Sequence, residues 1–117
     1  MRVLALNAPA HFRELLSGAP TDLVWLARLA PFDCAIAFAT SSTELRNMFA
    51  RLEPKLAQDG LIWIGWPKKS AGVKTDLGEN LVRDIGLNMG LVDIKVCAID
   101  ATWSGLKFVR RVRDRLK

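Results

Sequence analysis

The chain has 117 residues and a formal net charge of +5; half of its residues are hydrophobic and a quarter are charged. This length predicts one domain with one hydrophobic core, since a chain of about this size buries roughly two-thirds of its unfolded surface. No apolar run reaches the roughly 18 residues of a membrane span, and the N-terminus has no signal-peptide pattern, so the sequence predicts a cytoplasmic protein without a membrane segment.

The first part of the chain is predicted to alternate strands and helices. Residues 3–6 form an unbroken apolar run, which indicates a short buried strand. Residues 10–17 have the apolar spacing of a short helix. Residues 22–29 fit either a strand or a helix, and Pro31 ends that element in both cases. Residues 33–39 are apolar on both faces, which is typical of a central parallel strand.

The second part of the chain begins with a helix signal at Ser41, where Ser41-x-x-Glu44 forms a capping box. Helical spacing continues to Leu56, so we expect a helix that is kinked or restarted at Pro54 and ends at Asp59-Gly60. A buried strand over residues 61–66, a polar loop and a helix closed by Gly90 are predicted to follow. Residues 91–99 and 103–109 then form two strands whose short connection requires an antiparallel hairpin.

This order of elements predicts an α/β fold. We expect a three-layer, Rossmann-like, mostly parallel sheet with helices on both faces and a C-terminal antiparallel hairpin. The single domain is predicted to span residues 1–109, and residues 110–117 form a basic C-terminal tail. Cys34 and Cys97 lie in apolar, strand-like runs with no cysteine or histidine nearby at metal-ligand spacing, which indicates two reduced core thiols and no metal site.

Three segments carry a resemblance to a known fold. The chain resembles the later part of a class I S-adenosylmethionine-dependent methyltransferase in its middle strands and the helix between them: Phe32-Asp33-Cys34-Ala35-Ile36, Leu56-Ala57-Gln58-Asp59-Gly60 and Leu61-Ile62-Trp63-Ile64. The resemblance implies a methyltransferase-like fold. Fold alone does not imply methyl transfer.

A second resemblance covers almost the whole chain. It is similar to a family of short, uncharacterised bacterial proteins with a domain of unknown function, through Asn7-Ala8-Pro9, Trp66-Pro67-Lys68-Lys69, Lys74-Thr75-Asp76-Leu77 and the run from Asp100 to Lys107. This resemblance implies no particular activity.

The cofactor motif of nucleotide-binding folds is missing from the expected place. The turn after the first strand, Asn7-Ala8-Pro9-Ala10-His11, contains no glycine, and Pro9 has no N–H to donate. No acidic residue ends the apolar run over residues 23–26, where a ribose would be held. The sequence therefore predicts no cofactor, S-adenosylmethionine included, no catalytic residues and no enzymatic activity.

A binding site is predicted at the carboxyl ends of the strands, where ligands of open parallel sheets bind. Polar and cationic side chains leave those ends and are expected to meet at one rim with an indole. The candidate ligand-binding residues are Asn7, His11, Thr40, Ser41, Trp66, Lys68, Lys69 and Lys74. Ser41 also has a purely structural explanation as a helix cap, and the lysines have one as a solvated loop.

The predicted role is binding of a small anionic ligand or a protein partner at this rim. Three alternatives stay open: nucleic-acid binding through the basic tail and residues 68–74, a degenerate methyltransferase, and a self-associating scaffold with the hairpin as the interface, which makes a homo-oligomer one of the predicted states.

Overall fold

The computed structural model of the chain describes residues 2–8, 24–26, 28–99 and 101–111. Within these ranges a six-stranded sheet carries two α-helices on one of its faces. The strands are β1 (Arg2–Leu6), β2 (Val24–Trp25), β3 (Phe32–Phe38), β4 (Leu56–Pro67), β5 (Leu91–Ala98) and β6 (Trp103–Arg110), and the helices are α1 (Ser42–Leu52) and α2 (Glu79–Asn88).

The sheet is mixed, with the strand order β2-β1-β3-β4-β6-β5. The first four strands in this order, β2, β1, β3 and β4, are parallel to one another. The strand β6 is antiparallel to both β4 and β5. The predicted α/β class and C-terminal hairpin are thus present. The ambiguous element over residues 22–29 is a short strand, β2, which pairs with the first residues of β1.

The helix α1 ends earlier than its spacing predicts. It stops at Leu52, a 3-10 turn follows over Glu53–Lys55, and β4 begins at Leu56. The prediction of a helix to Asp59-Gly60 is therefore wrong. Pro54 has no N–H for a continuing helix. Leu56, which lies four residues after Leu52, is buried as the strand partner of Phe32 rather than as part of a helical stripe.

Both described helices pack on the same face of the sheet. Their buried residues join one core cluster with alternate strand residues such as Ile62, Ile64 and Leu106. The rings of Phe49 in α1 and Phe108 in β6 meet edge to face with centroids 5.3 Å apart, which lies within the range of roughly 4.5–7 Å typical of such pairs. The expected helices on both faces are not found among the described residues, and the helix predicted over residues 10–17 lies outside them.

The structure also bears on the predictions for the C-terminal tail, the two cysteines and a membrane segment. Arg110, assigned to the basic tail, is the last residue of β6, and residues 112–117 lie outside the described residues. Cys34 and Cys97 are free thiols, each partly exposed. Burial raises the pKa of Cys34 to about 11. None of the described helices has the length and apolar character needed to cross a membrane.

Candidate functional site

The chain changes direction across the sheet at β1. From β1 it passes to β2 on one side, and β3 then returns to the other side of β1. Such a reversal leaves a crevice outside the carboxyl ends of the two diverging strands, and ligands of open α/β sheets bind there. The carboxyl end of β1 leads into Asn7, and that of β3 leads into Ser41.

A cleft of about 440 Å³ lies at this reversal, and we call it the switch-point cleft. Its walls come from the end of β1 and from one side of α1. The lining residues are Asn7, Ser41, Thr43, Glu44, Asn47, Met48 and Arg51. The cleft therefore combines amide, hydroxyl, carboxylate and guanidinium groups with one thioether.

The backbone of Asn7 has the left-handed conformation, with φ at 55°. Asparagine tolerates this region better than most residues other than glycine because its short side chain bonds locally. The turn that follows β1 therefore forms without a glycine. The lack of glycine was one reason why the sequence predicted no cofactor.

The amino end of α1 is capped by its own side chains. The Ser41 hydroxyl accepts the N–H of Glu44 at 3.1 Å, and the Glu44 carboxylate accepts the N–H of Thr40 at 2.9 Å. Half of the capping box predicted from Ser41-x-x-Glu44 is present, because Ser41 caps the N–H of Glu44, but the Glu44 carboxylate accepts from Thr40 and not from the N–H of Ser41. Ser41 consequently has a structural role in addition to lining the cleft, and the peptide N–H of Thr40 is held by Glu44.

Five of the seven cleft residues were not predicted as site residues, and three of these five have a spacing that is visible in the sequence. Thr43, Asn47 and Arg51 follow one another at intervals of four along α1, so they share one face of the helix. The missing information was the position of β1, which brings Asn7 to that face.

A contact joins α1 to the segment before α2. The N–H and the hydroxyl of Ser42 donate to the two carboxylate oxygens of Asp76 at 2.8 and 2.6 Å. These hydrogen bonds, the side-chain one first, lower the pKa of Asp76 below its ordinary value of 3.8. The contact fixes the relative positions of the switch-point cleft and the clefts described next.

The pH dependence of stability tests this contact. A carboxyl group with a lowered pKa in the folded state stabilises the fold above its ordinary pKa, and this contribution is lost as the pH falls through the lowered value. Urea unfolding between pH 6 and 2 should show a smaller acid loss for Asp76→Asn and Ser42→Ala than for the original chain. Ser70→Ala, an exposed serine in the neighbouring turn, is the control, and an equal change in that variant would contradict the assignment.

The predicted lysines line two further clefts beside Asp76. Lys69 and Lys74 line one of about 650 Å³, and Lys68 and Lys69 line one of about 240 Å³ with Trp66. We call these two the lysine clefts. Trp66 is only 5% exposed, so its indole is part of the core. The N–H of Lys68 donates to the carbonyl of Thr102 at 2.8 Å, which ties this segment to the hairpin.

The candidate residues are thus distributed over two places on one rim. Asn7 and Ser41 lie at the switch-point cleft, while Trp66, Lys68, Lys69 and Lys74 lie at the lysine clefts. The Ser42–Asp76 contact stands between them. Thr40 lies just before Ser41, and His11 lies outside the described residues. In the described ranges no group of three or more histidine, cysteine or carboxylate side chains is arranged to hold a metal ion.

Several solved structures of similar fold are methyltransferases. Magnesium protoporphyrin IX methyltransferase from Synechocystis PCC 6803 matches at a TM-score of 0.58 and 14% identity, over 85% of this chain and 56% of that one. The fibrillarin pre-rRNA processing protein of Methanococcus jannaschii matches at 0.59 and 12%, over 93% and 66%. A methyltransferase from Pyrococcus furiosus matches at 0.56 and 11%, over 95% and 64%.

The fold is methyltransferase-like. Identities this low speak for the fold alone, and the chain spans between about half and two-thirds of the length of these three proteins. No protein-family model matches the sequence, and no curated protein matches it. The similarity to a short bacterial family therefore stays a prediction, whereas the similarity to the class I methyltransferase fold is confirmed.

One prediction is overturned by these structures. Magnesium protoporphyrin IX methyltransferase was solved with bound S-adenosylhomocysteine and also with bound S-adenosylmethionine. The prediction of no cofactor, with S-adenosylmethionine not expected, is therefore wrong. It depended on the glycine-free turn after β1, where Asn7 supplies the left-handed backbone that a glycine was expected to supply.

Proposed function

We propose that this methyltransferase-like domain binds S-adenosylmethionine or S-adenosylhomocysteine in the switch-point cleft. One observation carries the proposal: the reversal of strand order at β1 coincides with a polar cleft between Asn7 and α1. Solved structures of similar fold that contain these two molecules support it. When bound, S-adenosylmethionine supplies a methyl group on a sulfonium sulfur, which makes that methyl electrophilic.

The polar groups of the cleft fit a zwitterionic nucleoside. Arg51 offers a guanidinium fork of the kind that binds a carboxylate, and Glu44 offers a carboxylate for hydroxyl or ammonium donors. Asn7 and Asn47 each offer an amide, which donates and accepts. Met48 adds an apolar surface. Glu44 already accepts one hydrogen bond, from Thr40, so it enters the site in a fixed position.

The lysine clefts fit an anionic molecule next to the proposed cofactor site. Lys69 lines both of them, and Lys74 and Lys68 add one ammonium group each. The carboxylates of Glu79 and Asp76 also line these clefts, but they already accept hydrogen bonds from Arg83 and Ser42. Ammonium groups act there as point charges for a carboxylate or a phosphate. We propose that the anionic ligand predicted from the sequence binds here, as methyl acceptor or as effector. The function proposed for the domain is therefore a methyltransferase-like one with an anionic second ligand.

Calorimetric titration with S-adenosylhomocysteine tests the cofactor site. Arg51→Gln should weaken binding about tenfold, which corresponds to about 1.4 kcal/mol, because it removes the guanidinium fork. Asn7→Gly should also weaken binding while preserving the left-handed turn, since glycine adopts a positive φ freely. Both variants are expected to unfold at nearly the urea concentration of the original chain.

Arg46→Gln is the matched control for Arg51→Gln. Arg46 is an exposed arginine of the same helix and does not line the switch-point cleft. It should leave the dissociation constant unchanged, as should Lys69→Gln at the lysine clefts. No heat of binding for the original chain at millimolar ligand, or an equal effect of Arg46→Gln and Arg51→Gln, would refute the proposal.

A further inference from the structure

A row of register partners crosses the sheet on the face opposite α1 and α2. The strands β1, β3, β4, β6 and β5 each contribute one residue to this row: Ala5, Ile36, Trp63, Lys107 and Lys95. Directly paired residues share a face of the sheet, and neighbouring strands are about 4.8 Å apart. We call this set the cross-strand row.

Two like charges stand side by side in the row. Lys107 and Lys95 are direct partners, and like charges directly opposite each other destabilise a sheet. The adjoining rows supply no carboxylate, because their members are Cys34, Leu61, Val109 and Val92 on one side and Phe38, Gly65, Gly105 and Cys97 on the other. No carboxylate within these three rows compensates the two ammonium groups.

An aromatic surface lies next to the two lysines. The Lys107 ammonium is 6.0 Å from the centroid of the Trp63 ring, and the Trp63 side chain is partly exposed. A shallow pocket of about 190 Å³ beside it is lined by Ile36, Trp63, Cys97 and Ile99. The surface thus combines one stacking ring, a flat apolar border and two cations.

The flatness of this surface has a cause in the sequence. Gly65 and Gly105 are register partners next to the pocket. A Cβ on Gly105 would lie 2.9 Å from the side chain of Ile99, and one on Gly65 would lie 2.7 Å from the Phe38 ring. Because glycine has no Cβ at these two positions, the side chains of Ile99 and Phe38 pack flat against the sheet. Among the described residues the result is a flat platform rather than a ridge.

We propose that this platform binds single-stranded nucleic acid. In the proposed complex a base stacks on the Trp63 ring, and backbone phosphates form ion pairs with Lys107 and Lys95. Every base has a π-face, so one ring supports binding with little sequence preference, and adjacent cations relieve their mutual repulsion by pairing with phosphates. A purely apolar protein helix would bury the two ammonium groups without partners, which is costly.

This site is distinct from the basic tail and from residues 68–74, and it does not depend on the cofactor proposal. Fluorescence anisotropy with a 5′-labelled fifteen-nucleotide uridine RNA, and with the corresponding thymidine DNA, tests it at low and moderate salt. Lys107→Gln and Lys95→Gln should each weaken binding about threefold to tenfold and lower the salt slope by about 0.7. Trp63→Leu should weaken binding at least fivefold for both probes.

Lys55→Gln is the matched control, because Lys55 is an exposed lysine of the 3-10 turn outside the platform. Urea unfolding of each variant separates lost binding from lost folding. A Lys55→Gln effect equal to that of Lys107→Gln, or no binding of either probe at low salt, would overturn the proposal. Loss of binding only in Lys69→Gln and Lys74→Gln, or equal displacement of RNA by polyglutamate, would overturn it as well.

Discussion

Gly86→Ala is expected to lower the free energy of unfolding by about 1–3 kcal/mol, although alanine is the better helix former. Gly86 lies in α2 against the ring of Phe108, and a Cβ at this position would be 2.6 Å from Cζ of that ring. Phe108 is fully buried and its ring also packs edge to face with Phe49 of α1, so a shift of the ring would disturb a second core contact. Urea unfolding at neutral pH measures the loss.

Two variants make the Gly86 result specific. Gly78→Ala introduces the same methyl group where no atom lies within 4 Å, and it should change stability far less. In a Phe108→Leu background the smaller side chain should reduce the cost of Gly86→Ala, giving a non-additive cycle. Equal costs of Gly86→Ala in both backgrounds would show that the helix–sheet contact described here is wrong.

Arg110→Ala is expected to cost about 2–3 kcal/mol of stability, because three acceptors lose their donor together. The guanidinium donates to the Glu53 carboxylate at 2.6 Å and to the carbonyls of Glu53 and Leu56 at 2.8 Å each. These acceptors belong to the 3-10 turn that ends α1 and to the first residue of β4. The side chain of Arg110 is only 18% exposed, so water replaces it poorly.

Two further variants test whether the stability loss of Arg110→Ala comes from its contacts with the 3-10 turn and the start of β4. Glu53→Gln should cost less than Arg110→Ala, since the two carbonyl contacts remain. Arg83→Ala removes another arginine with carboxylate partners, Glu79 and Asp93, but from a more exposed position, and we expect a smaller loss. Urea unfolding of the three variants checks the order, and a Glu53→Gln loss as large as that of Arg110→Ala would contradict it.

The strands and the hairpin could be predicted from the sequence because their signals are local. An apolar run over Phe32–Phe38 and a short connection before β6 leave few alternatives. The end of α1 could not be predicted by spacing alone, because Leu56 satisfies both a helical stripe and a strand pairing with Phe32. The pairing of β4 with β3 places Leu56 in a strand. Pro54 was the local sign that the helix ends before this residue.

Neither proposed site could be predicted from the periodicity of apolar residues, because one depends on a register shift and the other on strand order. Asp93 and Lys95 are two residues apart, and regular alternation would place them on the same face of β5. A register shift between them instead gives Asp93 the partner Phe108, on the helix side, and Lys95 the partner Lys107, on the other side. Likewise, Asn7 meets α1 only because β1 and β3 are neighbours, and strand order is not visible in local sequence.

If the reversal of strand order at β1 forms the cofactor site as proposed, a bound cofactor should perturb the residues around it. Titration of the ¹⁵N-labelled chain with S-adenosylhomocysteine, followed by NMR, measures this effect. We expect the largest amide shift changes at Asn7 and Ala8 and over residues 40–44, with smaller changes along α1 toward Arg51. No saturable shift changes, or changes confined to the platform around Trp63 and Lys107, would contradict this proposal.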